Sequence, residues 1–379
     1  MALLLLLGVA SSGSGSSSVE GETQLSGRCS GARLPGSVPA AGTWPPRADA
    51  IVAKEKGGCG SIACYTTIQQ ALDAAPLLVP CEKRRYVVLV KSGVYEEPFI
   101  NVTRKNVMLL GEGAGRTVIT GSKSNGTLTP MDQTATVIAL GHGFLAQDLT
   151  IRNTAGPAQK QAVALRSNSN KSVVYRCSIE GYEDTLYAEN GRQMYIESNV
   201  SGTVDFVFGN AKAVFHKCRL QVRRPLGGKH NVITAQGRNN ATSLESGFSF
   251  HECIVEAAPG HDLKGFDTFL GRPYRKYSHV AFINSFLGDV VNITGWVSWV
   301  RDHDDKDTTG SVEYREFGNR GPGAGTEYRV RWPGFRVLAS DSEAAKYTAD
   351  RFIDASQWVP EHIQYDHGLG VAPRIPPRA

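Results

Sequence analysis

Residues 181–210 read GYEDTLYAENGRQMYIESNVSGTVDFVFGN and place an aspartate inside an apolar, aromatic run twice. Asp184 lies in YEDTLY (182–187) and Asp205 in VDFVF (204–208), with the β-prone MYIESNV (194–200) between them. Carboxylates are rarely buried without a partner. Such surroundings raise the pKa or call for a compensating charge. Two residues of this kind, 21 apart, suggest an assembled carboxylate pair. The alternative is two strand-end aspartates, each bonding a loop backbone.

Outward from this stretch the chain repeats. FLAQDLTI (144–151), VVYRCSI (173–179), AVFHKCRL (213–220), FSFHECIV (248–255) and VAFINSFL (280–287) share one pattern, which MYIESNV fits more loosely. An apolar residue is followed three later by a small or polar one, then by another apolar one. Marking the small or polar position gives Asp148, Cys177, Asn199, Cys218, Cys253 and Ser285, in steps of 29, 22, 19, 35 and 32. A short strand recurring at such spacing, without helices between, predicts a solenoid. The fold expected is all-β, a right-handed parallel β-helix with short helices at its ends; a β-sandwich is the weaker alternative. In the β-helix, residues one coil apart stack at the strand spacing of ~4.8 Å. Gln161, Asp184 and Asp205, 23 and 21 residues apart, would then form a ladder of one amide and two carboxylates.

Residues 1–45 are rich in Ser, Gly and Pro and include the run Leu3 to Leu7, without a basic segment before it. They are expected to be signal, processing segment and linker, with one β-helical domain over 46–379. Helical spacing predicts a short helix in YTTIQQALDAA (65–75), and short strands follow at 86–90 and 107–110. The last segment, with a periodic stretch from Ser342 to Ile353, is expected to fold back over the side or end of the solenoid.

The 379 residues carry 41 Lys and Arg against 36 Asp and Glu, a net charge of +5 that leans toward acidic partners. With no dense basic tract or zinc-finger spacing, nucleic acid is not expected, whereas an acidic polysaccharide suits the charge. Six Asn-x-Ser/Thr triplets, at Asn101, Asn125, Asn170, Asn199, Asn240 and Asn292, are compatible with a secreted glycoprotein. Seven cysteines without metal-ligand spacing suggest one or more disulfides and an unpaired thiol. No later apolar run approaches the ~20 residues of a membrane span.

Five separated motifs, in order, resemble those of the plant pectin methylesterases. GVYEE (93–97) is similar to the family's GxYxE and QAVAL (161–165) matches QAVAL. YEDTLY is similar to YQDTLY, GTVDFVFG (202–209) to GTVDFIFG and LGRPY (270–274) to LGRPW. The resemblance covers residues 51–365 and implies a parallel β-helical aspartyl esterase, secreted to the plant cell wall, that removes methyl esters from pectin. It implies Asp205 as nucleophile and Asp184 as general acid and later base. Arg272 would orient Asp205 and hold it ionised, and Gln161 would donate to the oxyanion. Tyr187, Phe206 and Tyr274 would stack on sugar rings. It also implies a Cys218–Cys253 disulfide, a monomer, no metal or organic cofactor, and a proteinaceous pectinesterase inhibitor as a further partner. The inhibitor-like prodomain of many plant members has no room in the short N-terminal segment, which suggests the subgroup without it.

Two residues depart from the family pattern. Glu183 stands where the family has an oxyanion-binding glutamine, and an ionised carboxylate would repel an oxyanion. Crowding by Asp184 and Asp205 favours a protonated Glu183, which would donate again and shift activity toward acidic pH. Tyr274 replaces a tryptophan, with less stacking area. A pectin-binding β-helix of weakened catalysis is the competing reading. A lyase or polygalacturonase shares the fold, but the calcium site and basic proton abstractor of a lyase are not matched.

Overall fold

The strands expected from the repeat are present, and each pairs in parallel with its counterpart one coil away. A computed structural model describes residues 46–55, 59–77, 84–228, 230–299 and 308–371. The expected signal and linker, with Cys29 and Cys81, lie outside the described residues. Successive coils add strands to three sheets of 12, 8 and 7 strands. One coil runs through Arg192–Ile196, Asn199–Gly202 and Val207–Gly209. The next runs through Lys212–His216, Arg219–Val222 and Asn231–Gln236. This is a parallel β-helix; a sandwich would need antiparallel pairs, and none occurs among the described strands.

In-register stacking explains why one apolar pattern recurs. Tyr195, Phe215, Phe250 and Phe282 occupy the same place on successive coils. Their rings stack with centroids 4.5, 4.5 and 4.6 Å apart. Ring stacking and strand spacing thus coincide, and each such pair adds ~0.5–1.5 kcal/mol beyond area burial.

The corner between the first and second sheets is a single left-handed residue. Asp148, Arg176, Glu197, Lys217, Glu252 and Asn284 hold φ between 46° and 54°, or 56° at Glu252. A non-glycine in this region costs ~1–2 kcal/mol. The stack offsets this by keeping the hydrogen-bond ladder unbroken: Arg176 N–H donates to Ile196, Glu197 to His216, Lys217 to His251 and Glu252 to Ile283, each at 3.0 Å. The buried residue that follows is Leu149, Cys177, Ser198, Cys218, Cys253 or Ser285. The repeat marks read from sequence are therefore right at four positions and one residue off at Asp148 and Asn199. The true steps are 28, 21, 20, 35 and 32.

This corner also corrects the expected Cys218–Cys253 disulfide: both are buried free thiols. Ser198 Oγ donates to the carbonyl of Val174 and Ser285 Oγ to that of Phe250, on the preceding coil. Cys218 and Cys253 do the same toward Tyr195 and Phe215. Each thiol is engaged along the stack as a serine would be. Cys177 is likewise a buried free thiol, pushed up to about 12 by burial. Among the described residues a disulfide joins Cys59 and Cys64.

A short helix, α1 (Ile68–Asp73), buries Ile68, Ala71 and Leu72 against the first coils. Glu97 accepts from the N–H groups of Ile68 and Gln69 at 2.6 and 3.1 Å, so the last residue of GxYxE caps this helix. The C-terminal segment carries α2 (Asp341–Ala344) and α3 (Ala349–Ile353). Leu338, Ala344, Tyr347, Phe352 and Ile353 pack with Met194, Val214 and Ala281 on the outer face of the first sheet. The expected covering of the solenoid's side is observed, and it explains why first-sheet strands such as Gly247–His251 are buried on both faces.

Candidate active site

Asp184 and Asp205 precede the third-sheet strands Leu186–Ala188 and Val207–Gly209. Both adopt the left-handed region, at φ 64° and 51°. The N–H of Asp184 donates to the carbonyl of Val204 at 3.0 Å, so the two aspartates stand side by side on successive coils. Each is less than a tenth exposed. The neighbouring motif residues build these turns. Thr203 N–H bonds Tyr182 at 2.9 Å. Thr185 Oγ1 donates to the carbonyls of Tyr182 and Ser201. A Cβ on Gly202 would fall 2.3 Å from that of Phe206, which is why this position is glycine.

Arg272, on the strand Thr268–Pro273, forks both oxygens of Asp205. Burial pushes the Asp205 carboxyl up, the Arg272 guanidinium pulls it down, and the charge of Glu183 pushes it up again; the net direction is upward. His230 also pulls it down. The other face of Arg272 lies 4.0 Å over the ring of Trp299, which meets Tyr274 edge-on at 5.2 Å. Across the sheet Tyr187 stacks on Phe208 at 4.4 Å. Ala135, Val163, Phe208 and Ala235 form a buried apolar floor, rimmed by half-buried Met131, Tyr187, Tyr274 and Trp299. Arg166 forks Glu189 beside Tyr187 and fixes that side of the rim.

Of the residues singled out in the sequence, Asp184, Asp205 and Arg272 come together, and Tyr187 and Tyr274 reach the rim. Glu183 is half-buried and near enough for its charge to act on Asp205. Gln161 sits one residue away from the expected ladder. The N–H of Ala162 donates to Glu183 O at 3.1 Å, which sets Ala162 beside Asp184 and Gln161 beside Glu183. Phe206 is a correction: its ring is fully buried among the core residues and cannot stack on a ligand. Phe206 lies in the turn before the strand Val207–Gly209 and packs inward with Val207, whereas Phe208 faces the apolar floor. Thr134, beside the rim residue Met131, is buried, accepts from Val163 N and donates to Met131 O. Sequence reasoning missed Trp299 and Phe208. Trp299 lies in no repeat and carried no signal; the stacking partner of Tyr187 follows from the 21-residue register.

Known proteins resemble this chain in sequence and in fold. Residues 49–356 match the sequence profile of the family described as Pectinesterase. "Putative pectinesterase/pectinesterase inhibitor 38" of Arabidopsis thaliana is 46% identical over 316 residues, covering 83% of this chain and 64% of the relative. "Pectinesterase 2" of Citrus sinensis is 43% identical over 329 residues, covering 86% and 61%. The chain thus spans less than two thirds of the length of these curated relatives. Among solved structures, pectin methylesterase from carrot superposes with a TM-score of 0.79 at 38% identity, covering 87% of this chain and all of that one. The Aspergillus niger pectin methylesterase superposes at 0.69 with 26% identity, covering 85% and 99%. A match through nearly every coil, from α1 to the C-terminal helices, means that this chain belongs to the pectinesterase family.

Proposed function

We propose that the protein hydrolyses the methyl esters of pectin, releasing methanol and leaving free carboxylates, with residues 46–379 as the catalytic unit. The carrying observation is the in-register pair Asp184 and Asp205 with the bidentate Arg272 fork on Asp205. The fork divides the roles: a bidentate guanidinium favours the ionised form, so Asp205 is the carboxylate that attacks the ester carbonyl. Attack gives a tetrahedral oxyanion. Its collapse expels methoxide, which takes a proton from Asp184 and leaves as methanol, with Asp205 acylated. Water then loses a proton to Asp184 and attacks the acyl group, which frees the Asp205 carboxylate and galacturonic acid, whose proton passes to solvent to leave a carboxylate.

The amide of Gln161 supplies a donor for the oxyanion, an interaction often worth ~3 kcal/mol. Its place beside Glu183 lets one donor serve where the family has another glutamine. Tyr187, Tyr274 and Trp299 form walls on which sugar rings stack. A net positive chain suits a polyanionic substrate. Among the described residues no helix is long and apolar enough to cross a membrane. The plant wall is the site of action this reading implies, with an inhibitor protein as a further partner and a monomer as the working unit.

A pectin-binding protein of weakened catalysis is the second reading, favoured by Glu183 and by the smaller Tyr274. Methanol release from highly methylated pectin separates the two. Release that disappears in Asp205→Asn supports the esterase, while binding without release at any pH from mildly acid to neutral supports the second reading.

A further inference from the structure

We propose that Asn240 is the principal N-glycosylation site of this chain, an inference that rests on the reading of the protein as a secreted wall enzyme. The sequence offers six Asn-x-Ser/Thr acceptors and no means of ranking them. A glycan is bulky and belongs on the surface, so the fold ranks them by whether the side-chain amide can carry one.

Asn240-Ala241-Thr242 lies in the excursion 237–246, which joins the third-sheet strand Asn231–Gln236 to the first-sheet strand Gly247–His251. Both ends of the excursion are fastened. Arg238 Nε donates to the carbonyl of Tyr277 at 2.6 Å, and Glu245 pairs with Arg192 at 3.0 Å. Between these anchors Asn239, Asn240, Ala241 and Thr242 are all exposed. The Asn240 side chain is held through its oxygen: Oδ1 accepts from the N–H and the hydroxyl of Thr242 at 3.0 and 2.9 Å. Nδ2, the atom that takes the sugar, has no acceptor among the described residues and is left to solvent.

The other five acceptors are committed to the stack. Asn292 makes the same turn with Thr294, at 2.9 and 2.8 Å, but its Nδ2 is spent on Asp267 Oδ1 at 2.8 Å. Asn125 Nδ2 donates to the carbonyl of Thr129 at 3.3 Å. Asn101 is the middle residue of the strand Ile100–Val102, with its Oδ1 buried. Asn199 opens the strand Asn199–Gly202 between Ser178 and Arg219 of the adjoining coils, and Ser201 of its triplet is buried. Asn170 is exposed, but its Oδ1 accepts the N–H of Arg192 on the next coil at 3.0 Å, and Ser172 of its triplet is buried.

The donor is an oligosaccharide carried on a polyprenyl diphosphate, as the secretory pathway supplies. Nδ2 bonds to the anomeric carbon of the first N-acetylglucosamine as the bond from that carbon to the diphosphate oxygen breaks. The polyprenyl diphosphate leaves, and the amide gives up one proton. The reaction does not touch Oδ1, so the turn with Thr242 survives it.

The test exports the full chain from yeast, once from its own N-terminus and once behind a secretion leader. Enzymatic removal of N-glycans in heavy-oxygen water turns each glycosylated asparagine into a labelled aspartate, which peptide mass spectrometry locates. Label is expected on most copies of Asn240 and on fewer or none at the other five. Asn240→Gln and Thr242→Ala should each strip most of the glycan mass, and Asn292→Gln should leave it in place. Asn240 unlabelled, or labelled less than any other triplet, overturns the site. Export behind the leader decides Asn240 even where the chain's own N-terminus sends nothing to the medium, a result that overturns secretion instead.

Discussion

Arg272 reaches Asp205 across 67 residues of sequence and takes both of its oxygens, Nε on Oδ1 at 2.8 Å and a terminal nitrogen on Oδ2 at 2.6 Å. Asp184, its neighbour on the preceding coil, is not the object of that fork. Two carboxyls in equivalent turns are thereby made chemically different by one side chain arriving from a later coil.

Arg272→Lys keeps a positive charge and loses the planar fork. Burial then acts on Asp205 with less opposition, and its carboxyl rises further. An Asp205 that must be ionised loses activity as pH falls through its pKa, so the acid limb of the pH–rate profile moves to higher pH. At neutral pH methanol release should fall about 100-fold, the size of a few kcal/mol of lost stabilisation. An unchanged acid limb would show that the pair is only structural.

Glu183→Gln tests two effects of opposite sign. A protonated Glu183 acting as donor would make the native enzyme favour acid. Its ionised form holds the Asp205 carboxyl up, which weakens the nucleophile on the acid side. The glutamine variant should carry the acid limb to lower pH and raise kcat by about tenfold or more, since a donor now faces the oxyanion at every pH. Profiles that coincide throughout would remove Glu183 from the mechanism.

Trp299→Ala removes the ring under Arg272 and the wall opposite Tyr187. Cation–π contacts are worth ~0.5–2 kcal/mol, so KM for pectin should rise about 3- to 30-fold. A smaller fall in kcat is expected as the fork loosens. Steady-state kinetics separates these, and a change in kcat alone would assign Trp299 to Arg272 only.

Arg329 and Glu316 are each 1% exposed and paired at 2.8 Å, with Trp296 Nε1 also on Glu316 at 3.2 Å. Arg329→Ala strands a buried carboxylate and should cost ~3–5 kcal/mol of stability in urea unfolding. Replacing both partners by methionine should cost much less, because no charge is then left alone. Equal losses in the two variants would mean that packing, not charge, dominates there.

The fold was legible because the β-helix writes itself as recurring strands, and stacked rings such as Phe215 on Phe250 demand the same residue class at each return. The aspartates were legible for a related reason, since a carboxylate inside YEDTLY or VDFVF has no place in an ordinary strand. What escaped was register to a single residue. Gln161 beside Glu183, rather than under Asp184, depends on a local slip in the ladder that spacing alone does not reveal. Phe206 and Phe208 are equally aromatic, and a regular pleat would set both on one face; the left-handed turn at Asp205 comes just before Phe206, which packs inward with Val207 while Phe208 faces out. Trp299 arrives from a loop outside the repeat, where periodicity carries no information. The Cys218–Cys253 disulfide was implied by the resemblance alone; on this chain the two thiols fill the hydrogen-bonding place that serine fills on other coils.

The corner-to-corner steps carry a further consequence for how this chain can change. From Arg176 to Lys217 they are 21 and 20 residues, the shortest measured, while the next two are 35 and 32. The 35-residue coil includes the excursions at 223–228 and 237–246, which leave the stacked strands undisturbed. The coil from Asp184 to Asp205 has no such freedom. One residue gained or lost between them would turn one carboxylate out of line with the other. Variation in length is thus confined to coils that frame the groove, where it can reshape what enters, while the interval that sets the pair stays fixed.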